Sequence, residues 1–328
     1  MLQNKQLLLE SKNLLAFSAG GDSTALFFLL LESHIPFDIA IVNYKTRKQA
    51  EDEVRYAQEL AKKYSLQCFI LDSEKIDSNF EAQARNIRYD FFESLIKKHN
   101  YQTLLTAHHL GDRLEWMLMQ FCKGAGCAEL SGMKCLESRL NYKLIRPLLH
   151  LDKQELLAYL DANKHKYFDD ESNKEMKYTR NEFRHLYTQP LLSKYLKGIK
   201  KSFQYIDEDV DELSREIHIK YFKKLVYFSS SSSKRADNIV IDKYFKSIKH
   251  LCSSSEKELL KKEVAVIISR KYIVIQEHNY IFIAPYIKTS KIPKELKEKL
   301  RLLKVHPKLR GYLASDEDAV LLVSKLLQ

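Results

Sequence analysis

The segment Leu14-Leu15-Ala16-Phe17-Ser18-Ala19-Gly20-Gly21-Asp22-Ser23-Thr24 joins a short apolar run to a turn of small and hydroxyl-bearing residues. The apolar run predicts a buried strand, and the apolar stretch from Thr24 to Leu31 predicts a helix. A strand, a glycine-containing turn and a helix form the unit from which parallel α/β sheets are built. This segment therefore sets the expected fold.

The same alternation continues through the first half of the chain. Further strands are predicted at 37–42, 67–71 and 103–107, and further helices at 49–64, 80–98 and 110–121. Short strands separated by helices imply right-handed crossovers and an open, doubly wound, mainly parallel α/β sheet. Ligands of such sheets bind beyond the carboxyl ends of the strands, where the turn 18–24 and Ala107-His108-His109 would both lie.

The pattern changes after about Pro190. Residues 191–226 are typical of a long, charged helix, and the five serines at 229–233 of a flexible loop or linker. A short helical region at 241–268 precedes a predicted hairpin of 272–275 with 280–283, which turns at His278-Asn279.

These patterns predict two domains joined by a helical segment. A length of 328 residues also favours roughly two domains. We expect a nucleotide-binding domain at 1–190, a helical linker at 191–233 ending in the serine-rich loop, and a small α+β domain at 234–328.

The composition favours a polyanionic partner only weakly. Lys and Arg number 54 against 43 acids, a net charge of +11, which a solubility requirement explains equally well. Five cysteines without a CxxC pair indicate neither a disulfide framework nor a zinc ribbon. No apolar run approaches the ~20 residues of a membrane span, and the N-terminus is unlike a secretory signal. We expect a cytoplasmic protein without a membrane partner, and the sequence leaves a homodimer open.

The turn at Ser18 to Ser23 is suited to binding phosphate. Its small residues let backbone N–H groups approach an anion, and the next helix adds the partial positive charge of its N-terminus. A carboxylate beside phosphates is repulsive unless a cation separates them, so Asp22 predicts a magnesium ion. The turn is neither a Walker A loop nor GxGxxG. It resembles the PP-loop of enzymes that split ATP between the α and β phosphates, with Ala19 in place of a glycine. That departure matters if the position needs a positive φ.

Further motifs resemble the tRNA(Ile)-lysidine synthetase family. They are Val42-Asn43-Tyr44-Lys45-Thr46-Arg47, with Tyr44 for the usual His, Glu81 to Tyr89, and Ala107-His108-His109-Leu110-Gly111-Asp112-Arg113-Leu114-Glu115, with Gly111 for a common Asp. Later matches are Lys123-Gly124-Ala125-Gly126, Leu130 to Met133, Arg146-Pro147-Leu148-Leu149, Asp169 to Asn173, and Tyr178 to Arg184. Together they cover about the first 190 residues in the family's order.

The resemblance implies an ATP- and Mg²⁺-dependent ligase. Such an enzyme adenylates the C2 oxygen of the wobble cytidine in the CAU anticodon of tRNA(Ile), and L-lysine then displaces AMP to leave lysidine. ATP would lie on Ser18, Ala19, Gly20, Gly21, Asp22 and Ser23, with Mg²⁺ on Asp22. The elongator methionine tRNA also carries CAU, so we expect the basic C-terminal half to contact the tRNA body and supply discrimination.

Candidate catalytic residues besides Asp22 are Asp112 and Glu115, three apart on one predicted helix face. A carboxylate there would bind the lysine ammonium and then accept a proton; a solvated acidic face is the alternative. The pairs Arg85 and Arg88, and Arg180 and Arg184, could each clamp phosphates of ATP or RNA, or pair with Glu81 or Glu182. His108, Lys123 and Asn181 complete the predicted substrate- or phosphate-binding set. One of His108 and His109 should be packed while the other points into the cleft.

Two other functions stay open. A tRNA thiolase would share the fold, although such enzymes use a cysteine pair or a CxxC-held cluster, and Cys122 and Cys127 have four residues between them. A nucleotide- or RNA-binding module without catalysis is the other alternative, which the departures at Ala19, Tyr44 and Gly111 favour slightly.

Overall fold

The computed structural model divides the chain into two compact units, Met1–Asp207 and Glu208–Gln328. The structure describes residues 1–45, 49–76, 78–168, 179–214, 217–231, 233–277, 279–288 and 292–327. The motif residues Thr46, Arg47, 169–173 and Tyr178, and the turn residue His278, lie outside these ranges. Within the ranges, every helix is too short or too polar to cross a membrane.

The first unit contains a six-stranded sheet with strand order β3-β2-β1-β4-β6-β5. Its strands are β1 (Asn13–Ala16), β2 (Phe37–Asn43), β3 (Cys68–Asp72), β4 (Thr103–Leu105), β5 (Leu136–Ser138) and β6 (Lys143–Ile145). All neighbours pair in parallel except β5 and β6, which are antiparallel. The predicted doubly wound, mainly parallel sheet is confirmed.

Nine helices and one π-helical turn accompany this sheet in the described part of the first unit. The helices are α1 (Lys5–Leu9), α2 (Gly21–Glu32), α3 (Gln49–Tyr64), α4 (Phe80–His99), α5 (Leu110–Phe121), α6 (Cys127–Leu130), α7 (Lys153–Ala162), α8 (Thr179–Glu182) and α9 (Gln189–Ser214), and the π-helical turn is Phe183–Thr188. Helix α2 is apolar on every side because it is buried: Phe27 is fully buried, and its ring packs against Phe17, Phe28 and Phe37.

The strand order reverses direction at β1. The chain moves from β1 to β2 on one side, and β4 pairs with the other side of β1. The carboxyl ends of β1 and β4 therefore border the crevice at which doubly wound sheets bind their ligands. The turn 18–24 follows β1 and His108-His109 follows β4, as predicted.

The second unit contains a five-stranded antiparallel sheet with strand order β7-β8-β11-β10-β9. Its elements are β7 (Lys220–Phe222), β8 (Leu225–Ser229), α10 (Lys234–Ser247), α11 (Ser254–Lys262), β9 (Ala265–Ile268), β10 (Tyr272–Glu277), β11 (Tyr280–Pro285), α12 (Lys294–Leu302), α13 (Pro307–Leu313) and α14 (Glu317–Leu327). Helices cover both faces: Ile273 packs in one apolar cluster with Leu309, and Val274 in another with Phe245. The predicted α+β class and the hairpin are confirmed.

Three expectations for the C-terminal half were wrong. The long helix predicted for 191–226 ends at Ser214, because Leu225–Ser229 is buried on both faces and pairs with β11. Ala265–Ile268 is a strand rather than the end of a helical region, because it pairs with β10 and contributes residues to the apolar clusters on both faces of the sheet. The segment 191–233 is not a separate linker, since β7 and β8 belong to the second unit's sheet.

The serine run is hydrogen-bonded rather than a free linker. Ser229 ends β8, and the buried Asp237 carboxylate accepts hydrogen bonds from the Ser230 hydroxyl at 2.7 Å and the Ser231 N–H at 2.8 Å. Ser233 caps α10 by accepting from the Ala236 N–H. Ser232 lies outside the described residues.

Candidate active site

The phosphate-binding turn is held by its own hydroxyl groups. The Ser23 side chain is buried and donates to the Gly20 carbonyl at 3.1 Å, while its oxygen accepts the Ser18 N–H at 3.2 Å. Gly20 caps α2 without a side-chain hydrogen bond, so the first N–H groups of the helix stay available to an anion. A Cβ on Gly21 would lie 2.8 Å from a terminal methyl group of Leu157, which would have to move to admit a larger residue.

Ala19 adopts the left-handed conformation, with φ of 59°. The substitution of alanine for the family's glycine therefore has a cost, because a residue with a Cβ is about 1–2 kcal/mol less stable than glycine in this conformation. Ala19 is fully buried, and its carbonyl accepts a hydrogen bond from the Phe168 N–H at 3.0 Å. Packing and this hydrogen bond therefore hold the turn in a conformation that the residue alone disfavours.

Asp22 lies in the first turn of α2 and borders a cavity of about 420 Å³. Its Oδ2 is 3.8 Å from the His109 Nε2, and its Oδ1 is buried without a hydrogen-bond partner among the described residues. An orphaned carboxylate oxygen is costly unless a ligand completes it. It fits Mg²⁺, which is commonly bound by one or two carboxylates together with substrate phosphates. The described residues contain no cluster of three or more metal-ligand side chains.

His109 connects the turn after β1 with helix α5. Its Nδ1 accepts the Gly111 N–H at 3.0 Å and caps the helix, and its Nε2 is 3.6 Å from Asp112 Oδ2. A Cβ on Gly111 would lie 2.7 Å from this ring, so the glycine found in place of the common Asp makes room for the cap. His109, rather than the predicted His108, borders the cavity.

His108 is half-buried, and its Nδ1 lies 2.9 Å from the Thr106 hydroxyl. Burial lowers the pKa of His108 to about 3, and Arg146, Arg180 and Arg85 act in the same direction. His108 is therefore neutral at physiological pH.

Asp112, which is partly buried, and Glu115, which is buried, lie on one face of α5 and are bound by two arginines. Glu115, only 2% exposed, accepts hydrogen bonds from the Nε of Arg180 and, at 2.9 Å, from the Nε of Arg184. Asp112 Oδ1 lies 3.2 Å from the Arg180 guanidinium and 3.5 Å from that of Arg184. The alternative of a solvated acidic face is therefore wrong. The carboxylate pair Asp112 and Glu115 and the arginine pair Arg180 and Arg184 form one cluster.

The protonation of Asp112 follows from its neighbours. Burial alone would raise the pKa of this carboxyl, but His109, His108 and the two arginines outweigh it and hold the pKa well below its usual range. Asp112 also accepts the His109 N–H at 3.1 Å and borders the cavity. It is thus a fixed negative charge facing open space.

The remaining predicted residues lie around this centre. Arg85 and Arg88 are exposed on α4, where the Arg85 guanidinium covers the Tyr89 ring at 4.8 Å. Lys123 is exposed beyond the end of α5, and Asn181 is buried in α8. Tyr44, which replaces the usual His, donates to the Ala84 carbonyl at 2.9 Å, and burial raises its pKa to about 12.

Sequence reasoning missed a second ion cluster on α5. The buried Arg113 donates through its Nε to the Ser131 carbonyl at 3.0 Å and through a guanidinium N–H to Asp207 at 2.7 Å. Asp207 also binds the Lys134 ammonium at 2.6 Å. Sequence reasoning also missed Thr188, a buried residue that lines the cavity. Neither has a sequence signal, because Asp207 is 94 residues from Arg113 and Thr188 stands in no motif.

Comparisons with known proteins agree with this geometry. Residues 2–191 match a family profile described as a PP-loop domain. Curated proteins named tRNA(Ile)-lysidine synthase are similar over nearly the whole chain. The one from Wolinella succinogenes is 45% identical over 95% of each protein. Those from Helicobacter pylori and Campylobacter jejuni are 41% and 40% identical over 94% of this chain and 91% and 94% of theirs.

A solved structure shares the fold. The U34-tRNA thiolase NcsA from Methanococcus maripaludis, with its [4Fe-4S] cluster, superposes with a TM-score of 0.50 at 20% identity, over 61% of this chain and 72% of that one. At this identity the likeness bears on the fold alone. The family profile and the near full-length relatives decide the matter: the chain belongs to the tRNA(Ile)-lysidine synthase family of PP-loop proteins.

Proposed function

We propose that this protein uses ATP to join L-lysine to C2 of the wobble cytidine in the CAU anticodon of tRNA(Ile), forming lysidine. The observation that carries the proposal within its family is the placement of Asp22. Asp22 lies at the N-terminus of α2 and borders the same cavity as Asp112, and its Oδ1 has no hydrogen-bond partner among the described residues. A phosphate-binding turn and a cation-binding carboxylate thus meet at one space.

The reaction needs two steps because the C2 oxygen of cytidine is a poor leaving group. In the first step this oxygen attacks the α-phosphate of ATP, and pyrophosphate leaves. In the second step the lysine side-chain amine bonds to C2, the C2–O bond breaks, and AMP leaves. The N–H groups at the N-terminus of α2 and the hydroxyl of Ser18 would bind the phosphates. Asp22 would hold Mg²⁺, which neutralises charge on them.

The second step needs a site for a cation. With a reference pKa of ~10.4, only about one lysine amine in 2,500 is neutral at pH 7, so lysine arrives as an ammonium ion. Asp112 faces the cavity as a carboxylate, whereas Glu115 is occupied by Arg180 and Arg184. A carboxylate with a lowered pKa binds an ammonium well and accepts a proton poorly. We therefore assign Asp112 to ammonium binding and Glu115 to holding the two arginines.

The exposed Arg85, Arg88 and Lys123 are assigned to tRNA phosphates, because long cationic side chains without a buried role suit a polyanion. For selection against the elongator methionine tRNA we assign the C-terminal unit. Arg270 and Lys271 are exposed between β9 and β10. Reversing both charges should weaken tRNA(Ile) binding and flatten its salt dependence. Unchanged selection and salt dependence would argue against a contact there.

The proposal is tested by incubating the protein with Mg-ATP, labelled lysine and transcripts of tRNA(Ile) and elongator methionine tRNA, both carrying CAU. We expect label at the wobble base of tRNA(Ile) only. ATP-dependent sulfur incorporation instead of lysine would identify a thiolase. Binding of ATP and tRNA without either product would identify a non-catalytic module.

A further inference from the structure

The cavity beside Asp22 has a group of lining residues that the proposed roles leave unused. Thr188, Gln189 and Ser193 come from the π-helical turn and the start of α9. Turns of π-helix are rare in proteins and occur frequently at functional sites. These three residues, here called the polar wall of the cavity, are therefore candidates for contact with a ligand.

Thr188 is the member of this wall with an unsatisfied group. The residue is 2% exposed, and its Oγ1 has no hydrogen-bond partner among the described residues. A threonine in a helix can usually donate to a carbonyl of the preceding turn, but this one does not. Burying an unpaired hydroxyl destabilises a folded protein. The described part of the protein thus leaves a buried hydroxyl unused, on a residue that lines the cavity.

The cavity also carries carboxylates that suit a cation. Three carboxylates line it, from Asp22, Asp112 and Asp152, against the cations of Lys153 and Arg184. Arg184 is already paired with Glu115 at 2.9 Å. With Mg²⁺ assigned to Asp22, Asp112 and Asp152 remain as carboxylates that an ammonium group could contact.

The size and the apolar part of the cavity also fit a small amine. A volume of about 420 Å³ is near the lower end of the ~300–1,000 Å³ typical of ligand pockets. Leu192 supplies apolar surface beside the polar wall, as a chain of methylene groups requires. Carboxylates, an apolar side chain and a neutral polar wall together match an amino acid with an aliphatic amine side chain.

We infer that Thr188 is a binding residue for the lysine substrate. Its hydroxyl bonds to the amino-acid end of lysine, while the side-chain ammonium faces Asp112. This inference rests on the proposed function and deepens it, because it names the residues that admit the amine.

The test compares Thr188→Val, which keeps the shape and removes the hydroxyl, with Thr188→Ser, which keeps the hydroxyl. Lysine affinity is measured by calorimetry on the full-length protein, and the KM for lysine and for ATP are measured in the tRNA labelling assay. Loss of one hydrogen bond should weaken lysine binding and raise its KM about tenfold in Thr188→Val. Thr188→Ser should restore most of the affinity, and the KM for ATP should not change.

A stability measurement separates ligand binding from a structural role. Because the hydroxyl has no hydrogen-bond partner among the described residues, Thr188→Val should unfold at the same or a higher temperature. Unchanged lysine affinity, or a fall in melting temperature accompanied by equal losses for lysine and ATP, would overturn the inference. Lysine binding that depends on Thr188 without any label in tRNA would instead overturn the proposed function alone.

Discussion

Helix α5 carries two ion clusters with opposite properties. On one face Asp112 and Glu115 bind Arg180 and Arg184 beside a cavity that also contains the partnerless Asp22 oxygen. On the other, Arg113 is satisfied by Asp207 and the Ser131 carbonyl, and its guanidinium packs 4.2 Å from the centre of the Phe203 ring. The first cluster, here called the cavity cluster, faces space for a ligand. The second joins α5 to α9 and is named the sealed cluster because none of its described side chains lines the cavity, although Asp207 is half-buried. Buried charge therefore marks a reactive site only where the packing leaves room beside it.

The largest expected effect is on the cavity cluster. Asp112→Asn removes the charge that faces the cavity and should lower lysine incorporation into tRNA(Ile) by on the order of 100-fold. Combining it with Glu115→Gln should abolish incorporation. Labelled lysine in tRNA measures both, and ATP binding should be retained. If the double variant kept full activity, the assignment of this face would be wrong.

A substitution in the sealed cluster should lower the stability of the protein and leave its catalytic activity nearly unchanged. Asp207→Asn leaves the buried Arg113 with weaker partners and should cost about 1–2 kcal/mol of unfolding free energy. Its lysine incorporation at 25 °C should stay within about twofold of wild type, because a destabilisation of this size leaves a domain folded. Denaturant unfolding measures the loss of stability, and the labelling assay measures the lysine incorporation. A large loss of activity in this variant without unfolding would remove the distinction between the two clusters.

His108, next to the cavity cluster, should give the protein a pH-dependent stability. Its pKa is about 3 in the folded protein against about 6.5 in the unfolded chain, so the folded state disfavours the protonated form. The contribution is fully present above pH 6.5 and is lost as the pH falls from there towards 3. The slope is about 1.4 kcal/mol per pH unit. His108→Asn should remove this slope between pH 6 and 4 in denaturant unfolding curves, while parallel curves for variant and wild type would contradict it.

The smallest effect concerns the phosphate-binding turn. Ala19→Gly removes the strain of a left-handed alanine, which stabilises the fold by about 1–2 kcal/mol. Two effects oppose this gain. The loss of a buried methyl group costs ~0.8 kcal/mol, and the greater conformational entropy of the unfolded chain costs about 0.4–1 kcal/mol. The net change in unfolding free energy should be under about 1 kcal/mol, with ATP affinity unchanged. A markedly tighter ATP complex in this variant would show that the alanine distorts the turn.

Sequence periodicity predicted the first unit well and the second unit less well. Helices α3 and α5 begin and end where predicted, since turns and charges bound their apolar patterns. Strand β9 and the first two residues of β8, Leu225-Val226, were predicted as helix, because strands packed on both faces lack the alternation that identifies a half-exposed strand. The sequence also placed Asp112 and Glu115 on one face. Their pairing with Arg180 and Arg184 could not be predicted, because it depends on how segments 65 to 72 residues apart pack together.

The most direct test of the central claim isolates the first chemical step. Protein, CAU-bearing tRNA(Ile) and ATP labelled in the α-phosphate are mixed with Mg²⁺ and without lysine, and label attached to tRNA is measured after quenching. The Asp112→Asn/Glu115→Gln and Asp207→Asn variants should adenylate the tRNA as wild type does, and Asp22→Asn should form no adenylated tRNA. Equal adenylation by Asp22→Asn and wild type would contradict the assignment of the phosphate-binding turn.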